Sequence, residues 1–264
     1  MKNKLKLVSF LILCFPMIMV AQQGLYEKNN FVKDGDTLRY RIMLPKNFSE
    51  DKKYPLVLFL HGAGERGNDN ESQLTHGSSL FASEENREKY PAVVIFPQCP
   101  KNDYWSNADV DRSDDGVKLV FHDDKEATKP MALTMQLLQQ FLDKSFIKKD
   151  QVYAIGLSMG GMGTFEILSR KPETFAAAIP ICGGGSEEAV TKYVDTPLWI
   201  FHGAQDNVVN PMYSIKMVSA LLKAGGHPKF TLFDDANHNS WDPAFSQPDF
   251  LSWLFSHQRT QGQK

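Results

Sequence analysis

Three residues in this chain have the types and settings needed to act on one another: a serine, an aspartate and a histidine, each just past a short apolar run. Ser158 sits in Gly156-Leu157-Ser158-Met159-Gly160, followed by Gly161, where the run Val152 to Ile155 ends and a helical pattern begins. A turn that tight between strand and helix tolerates little side chain beside the serine and presents its hydroxyl above the sheet edge. The bare G-x-S-x-G pattern arises by chance in about one chain of this length in ten. Its strand-turn-helix setting is what separates a nucleophile elbow from an ordinary Gly-rich turn.

A serine hydroxyl must hand its proton to a base, and the base needs an orienting carboxylate. Asp206 follows the run Leu198 to Ile200 in Phe201-His202-Gly203-Ala204-Gln205-Asp206, and His238 follows Lys229 to Phe233 in Asp235-Ala236-Asn237-His238-Asn239. The order serine, acid, histidine is that of an α/β-hydrolase. His202 and His227 compete for the base role, Asp234 and Asp235 for the acid role, and Asp206 could simply cap a helix. His202 ends a buried strand ahead of the acid and His227 lies in a Gly-Gly-His-Pro turn, so the reading takes His238 and Asp206. A fourth part is Leu60-His61-Gly62-Ala63-Gly64. Acyl transfer needs preorganised N–H groups for its tetrahedral oxyanion, here expected from the backbones of Met159 and Ala63.

The elements that must position these residues read as an α/β fold. Apolar runs at Leu56 to Leu60, Ala92 to Pro97, Val152 to Gly156, Ala176 to Ile181, Leu198 to His202 and Lys229 to Phe233 are too unbroken for half-exposed strands. They alternate with helical patterns at Met131 to Ser145, Gly160 to Arg170, Pro211 to Ala224 and Asp249 to His257. That is the pattern of a mostly parallel sheet covered by helices on both faces, with Leu38 to Leu44 as an added antiparallel strand. The irregular segments Gly62 to Lys89 and Gln98 to Lys129 should lie over the carboxyl edge, where such folds bind ligands.

Composition bounds the rest. The chain has 264 residues, 42% hydrophobic and 23% charged, which is ordinary for a globular protein. Lys2, Lys4 and Lys6 precede the apolar run Leu7 to Val20, and Ala21-Gln22 offers a cleavage point, so residues 1–21 read as a signal peptide and 22–264 as one catalytic domain. The run is short of the ~20 residues a spanning helix needs and contains Pro16. A lipoprotein reading through Cys14 is the lesser alternative. Export places the protein outside the cell or in a periplasm. Without the signal, 26 basic face 31 acidic residues, a balance that attracts neither nucleic acid nor an anionic membrane. Cys99 and Cys182 end strands that are not neighbours in the usual order of this fold and are expected as free thiols. No histidine pair has H-E-x-x-H spacing and no C-x-x-C occurs, so neither metal nor cofactor is expected; the acid-rich stretch Asp103 to Glu126 reads as a solvated face.

From about Leu38 onward the sequence resembles the small lidless carboxylesterases related to phospholipase/carboxylesterase and to family 1 carbohydrate esterases, often labelled predicted peptidases. The likeness rests on Tyr54-Pro55-Leu56-Val57-Leu58-Phe59-Leu60-His61-Gly62-Ala63-Gly64-Glu65-Arg66-Gly67, on Pro97-Gln98-Cys99-Pro100 with Trp105, on the elbow, and on the Asp206 and His238 loops. It implies ester hydrolysis through an acyl-enzyme without a metal. A peptidase would use the same triad, and a catalytically dead binding module would not need one. Only 14 residues, Gly183 to Thr196, separate two core strands where relatives of this fold insert a lid. The cleft should therefore be open, walled by the two irregular segments, with Gln98, Trp105 and Trp241 meeting a substrate such as an acetyl or feruloyl ester on a polysaccharide.

Overall fold

A computed structural model describes residues 24–113 and 116–259; the expected signal peptide and its cleavage point lie outside them. Among the described residues, ten strands and seven α-helices follow in chain order. The strands are β1 (Glu27–Lys33), β2 (Asp36–Met43), β3 (Tyr54–Leu60), β4 (Val93–Pro97), β5 (Ala108–Ser113), β6 (Gly116–Phe121), β7 (Ile147–Leu157), β8 (Ala177–Ile181), β9 (Trp199–Gly203) and β10 (Lys229–Phe233). The helices are α1 (Ser78–Ala82), α2 (Glu84–Lys89), α3 (Lys129–Leu142), α4 (Met159–Arg170), α5 (Met212–Lys223), α6 (Trp241–Phe245) and α7 (Phe250–Ser256).

Eight strands form one sheet in the order β1-β2-β4-β3-β7-β8-β9-β10. The pairs β1/β2 and β2/β4 are antiparallel and the rest parallel. The added antiparallel strand expected at Leu38 to Leu44 is β2, and β1 extends it as a hairpin through Asp34-Gly35. Both residues of that turn have positive φ, which glycine and aspartate tolerate. β3 is buried at every position, and its residues divide by parity. Leu56, Leu58 and Leu60 join one core cluster with residues of α3, α4 and α5, while Val57 and Phe59 join a second with α1, α6 and α7. A continuous apolar run is what a strand covered on both faces requires. β10 departs from that expectation: it is an edge strand and none of its residues is buried.

The parallel registers set Leu60 beside Gly156, Leu157 beside Ile181, Ile181 beside Phe201, and Gly203 beside Phe233. The carboxyl ends of β3, β7, β8, β9 and β10 are thus level, and the loops leaving them share one edge. The Gly183–Thr196 connection carries only a 3-10 turn, Glu188–Lys192, and so inserts no lid at that point. No helix among the described residues is long and apolar enough to cross a membrane. Cys99 and Cys182 are free and buried, at the ends of β4 and β8 with β3 and β7 between.

Candidate active site

The elbow is built by backbone crowding. Ser158 adopts φ 54° and ψ −118°, a region L-residues rarely occupy, between the end of β7 and the start of α4. Its own N–H is tied to the Ile181 carbonyl at 2.9 Å. A Cβ on Gly156 would stand 2.1 Å from the Gly160 carbonyl oxygen, and one on Gly160 would stand 1.9 Å from that of Leu60. Only glycine lets β7, α4 and β3 approach this closely, so the two outer glycines of the motif hold the turn against the sheet.

Ser158 Oγ lies 2.9 Å from His238 Nε2, and His238 Nδ1 lies 2.8 Å from Asp206 Oδ2. Asp206 Oδ1 accepts the N–H groups of Val208 at 2.9 Å and Val209 at 2.8 Å. Burial would push the Asp206 carboxyl up, but the contacts with His202, His238 and the Val209 N–H outweigh it and hold the group well below the usual carboxylate range. The acid is therefore ionised wherever the protein is folded near neutrality. Ser158 keeps 9% of its surface exposed, enough to be reached from the cavity above it. The competing residues fall elsewhere: His227, Asp234 and Asp235 are exposed, and His202 is fully buried against Asp206.

That cavity, about 280 Å³, is lined by Ser158, His238 and Trp241, by Gly62 to Glu65, and by an apolar wall of Tyr104, Val110, Val117, Leu119, Met162 and Val209. Ala63 opens the 3-10 turn Ala63–Glu65 and Met159 opens α4. First-turn N–H groups have no acceptor within their own helix, so both are open to a ligand oxygen. Arg66 fixes the first of these turns, donating from Nε to the Ala63 carbonyl at 3.0 Å while its guanidinium lies 5.1 Å from the Tyr104 ring centre.

Of the three side chains expected to meet substrate, Trp241 lines the cavity, its ring edge-on to His238 at 5.4 Å. Gln98 and Trp105 do not line it. Gln98 is buried behind the Gly62–Glu65 loop, accepting from Asn70 N–H at 2.8 Å and donating to Asp69 Oδ1 at 2.7 Å and the Glu65 carbonyl at 3.3 Å. Trp105 is fully buried, donating from Nε1 to the His61 carbonyl at 3.0 Å with its ring edge against that imidazole. Both brace the loop from below. His61 completes the brace: its Nδ1 is 2.6 Å from the Gly62 carbonyl and its Nε2 accepts from Cys99 N–H at 2.9 Å.

Sequence reasoning missed the outer wall. β5 and β6 form a two-stranded ribbon inside the stretch read as a solvated acidic face. Val110, Val117 and Leu119 face the cavity, and Leu119 packs with Met162 of α4 and Val209 of the acid loop. The signal was present in the alternation of Ala108 and Val110 with Asp109 and Asp111, and in the run Val117 to Phe121 that only Lys118 interrupts, preceded by Asp115-Gly116.

Among the described residues, Cys182, Asp206 and His238 offer metal-ligating atoms within 4.8 Å of one another. Two of these are already hydrogen-bonded together, and burial pushes the Cys182 thiol far above its ordinary pKa. The donor set fits a proton relay better than a cation.

Comparison with known proteins agrees with this architecture. The family model described as "Putative esterase" matches residues 35–243. The crystal structure of a thermostable esterase superposes with a TM-score of 0.80 at 34% identity, over 90% of this chain and 64% of that one. A family 1 ferulic acid esterase from Anaeromyces mucronatus, solved with ferulic acid, shares the fold at a TM-score of 0.60 and 16% identity, over 81% of this chain and 84% of that one. A bifunctional acetylxylan esterase/xylanase of Neocallimastix patriciarum is 28% identical over 169 residues, 64% of this chain but only 21% of that protein. The chain thus spans about a fifth of this curated relative and just under two thirds of the thermostable esterase. With the family model covering most of its length, the chain belongs to this esterase family.

Proposed function

We propose that the protein hydrolyses carboxylic esters through an acyl-enzyme on Ser158. The observation that carries this reading is the continuous chain Ser158–His238–Asp206 beside a cavity with a largely apolar wall. In the proposed reaction His238 Nε2 takes the serine proton as Oγ attacks the ester carbon, and Asp206 holds Nδ1–H and offsets the charge that develops on the ring. The N–H groups of Met159 and Ala63 receive the oxyanion. His238 then returns the proton to the departing alcohol, and water, activated by the same imidazole, releases the acid. The balance closes with ester and water alone.

The apolar wall and the Trp241 face suit a short or aromatic acyl group, and the alcohol is best read as a hydroxyl of a polysaccharide. Two of the relatives described above are named for acetylxylan and ferulic acid esters, and the basic-then-apolar N-terminus is that of an exported protein. Turnover of p-nitrophenyl acetate, methyl ferulate and acetylated xylan, set beside a peptide p-nitroanilide, tests the proposal. Ester hydrolysis at least a hundredfold faster than amide hydrolysis is expected. The reverse preference would make the protein a peptidase built on the same triad, and a marked preference for emulsified long-chain triglycerides would contradict the open cleft.

A further inference from the structure

His202 is fully buried at the end of β9, four residues before the acid, and the mechanism above leaves it unused. Its Nε2 faces two oxygens that can only accept: the Val209 carbonyl at 2.9 Å and Asp206 Oδ2 at 3.2 Å. A ring nitrogen so placed must carry a proton. Its N–H points at the Val209 carbonyl, with the carboxylate beside it. The other nitrogen, Nδ1, is 2.7 Å from Ser214 Oγ, which is itself 2.9 Å from the Gly183 carbonyl. If the Ser214 hydroxyl donates to Nδ1 the ring is neutral; if it donates to Gly183, the ring is a cation. Nε2–H is present in both cases.

Asp206 Oδ2 therefore lies between two imidazoles, His238 at 2.8 Å and His202 at 3.2 Å, while Oδ1 is held by the N–H groups of Val208 and Val209. The peptide unit that His202 anchors belongs to the residue that anchors the acid. Resting on the esterase reading above, we propose that His202 is a positioning residue for the triad, a second imidazole whose Nε2–H locks the Asp206 turn and moderates the field its carboxylate exerts on His238. The ionisable or polar groups around this pair are Asp206 on its own loop, Ser214 from α5, the Cys182 thiol from the end of β8 and His238 from the β10–α6 loop. Without the positive end of His202 Nε2–H, His238 holds its proton more tightly and becomes a working base only at higher pH.

A fluorophosphonate tests this without assuming the ester. Ser158 Oγ attacks phosphorus, fluoride leaves, the hydroxyl proton passes to His238, and intact-mass measurement follows the adduct across pH. In His202→Phe, labelling is expected to slow by about 10- to 100-fold, the usual range for a hydrogen bond to a charged group. The acid limb of its pH profile should move up by about half a unit. His202→Gln, whose amide nitrogen reaches the Nε2 position, is expected to recover most of the rate; His202→Asn, which reaches only the Nδ1 position, is not. Equal rates for the Gln and Asn variants, or an acid limb unmoved in both the Phe and Asn variants, would overturn the proposal. Should the Phe variant not fold, the Gln and Asn pair decides alone. A parent protein left unlabelled at Ser158 would instead overturn the nucleophile assignment, and this proposal with it.

Discussion

Around Ser158 an added methyl group has nowhere to go, whereas across the same cavity the β5–β6 ribbon leaves Val120 with 57% of its surface in water. The elbow is packed backbone on backbone, with Gly156 and Gly160 set against main-chain oxygens and Leu60, Leu157 and Ile181 closing the space beneath. The ribbon is held from outside, by Leu119 on Met162 and Val209, by the Phe121 ring edge-on to that of Tyr213, and by a hydrogen bond of 2.7 Å from Leu119 N–H to the Tyr213 hydroxyl. Two strands alone are marginally stable in water, so the ribbon depends on such contacts to stay in place. On the proposed reading, the chemistry is fixed where the fold is least able to yield, and the shape of the substrate is read where it can yield most.

If that division is correct, changes at the elbow abolish the reaction while changes on the ribbon retune it. The largest effect is expected for Ser158→Ala, with ester turnover reduced by ~10⁴-fold or more and the thermal midpoint close to that of the parent, since no packing is removed. Asp206→Asn should follow closely. Its amide N–H₂ would turn toward His238 Nδ1, leaving the ring with its proton on Nε2, where it cannot receive one from Ser158; a loss approaching ~10⁴-fold is expected. Turnover intact in Asp206→Asn and lost in Asp235→Asn would move the acid elsewhere. Both variants are read by initial rates on p-nitrophenyl acetate, with contaminating esterase excluded by a mock purification.

Gly160→Ala leaves the triad residues in place and tests the crowding directly. A Cβ 1.9 Å from the Leu60 carbonyl and 2.7 Å from that of His61 cannot be absorbed by rotating a side chain, because both neighbours are backbone. Destabilisation of more than ~3 kcal/mol is expected, measured by urea unfolding. A variant with parental stability would show the elbow to be looser than its geometry says.

That Ser158, His238 and Asp206 would meet was legible in the sequence for the reason that makes Gly160 intolerant. Parallel strands buried on both faces read as apolar runs, and the functional side chains follow their ends in an order the fold dictates. Support and contact were harder to separate. Gln98 and Trp105 stand in a loop over the carboxyl edge and could have faced substrate. Whether they do is decided by Asn70, Asp69 and the His61 carbonyl, partners distant in sequence that hold both side chains inward. The ribbon escaped notice because its acids masked a period-two pattern, and β10 seemed buried because an edge strand can carry the same residues as a central one. His202 was weighed only as a rival base, since nothing in local spacing tells a rival from a partner of the acid.

Below the elbow, His61 offers a pH test of the brace. Burial holds its imidazole down to about 4, against an ordinary 6.5. Between those values the unfolded chain binds a proton that the folded protein refuses, so stability should decline as pH falls from about 6.5 to about 4 and change little more from this group below that. The loss attributable to His61 is on the order of 3 kcal/mol. It is measured as the fall in unfolding free energy across the window, and His61→Gln should flatten the curve there even though the variant begins less stable. A slope unchanged by that substitution would assign the acid sensitivity to other groups.

The smallest effect on the reaction is expected on the ribbon, and it is the one that distinguishes wall from machinery. Val117 and Val110 line the cavity from β6 and β5, and neither is fully buried, so shortening them removes little core. Val117→Ala should cost less than ~1 kcal/mol of stability, because the side chain is partly in water and the anchor at Leu119 remains. Its effect should fall on KM: losing two methyl groups from an apolar wall weakens binding of an aromatic acyl group by about three- to tenfold, with kcat near parental because no contact to Ser158, His238 or the oxyanion turn changes. A small acyl group such as acetyl, leaning less on that wall, should show a smaller rise. The ratio of kcat/KM for methyl ferulate to that for p-nitrophenyl acetate therefore falls in Val117→Ala while Ser158 labelling by a fluorophosphonate proceeds at the parental rate. Slower labelling in this variant would mean that the ribbon helps set the geometry of the elbow, and the separation between a rigid reaction centre and an adjustable wall would not hold.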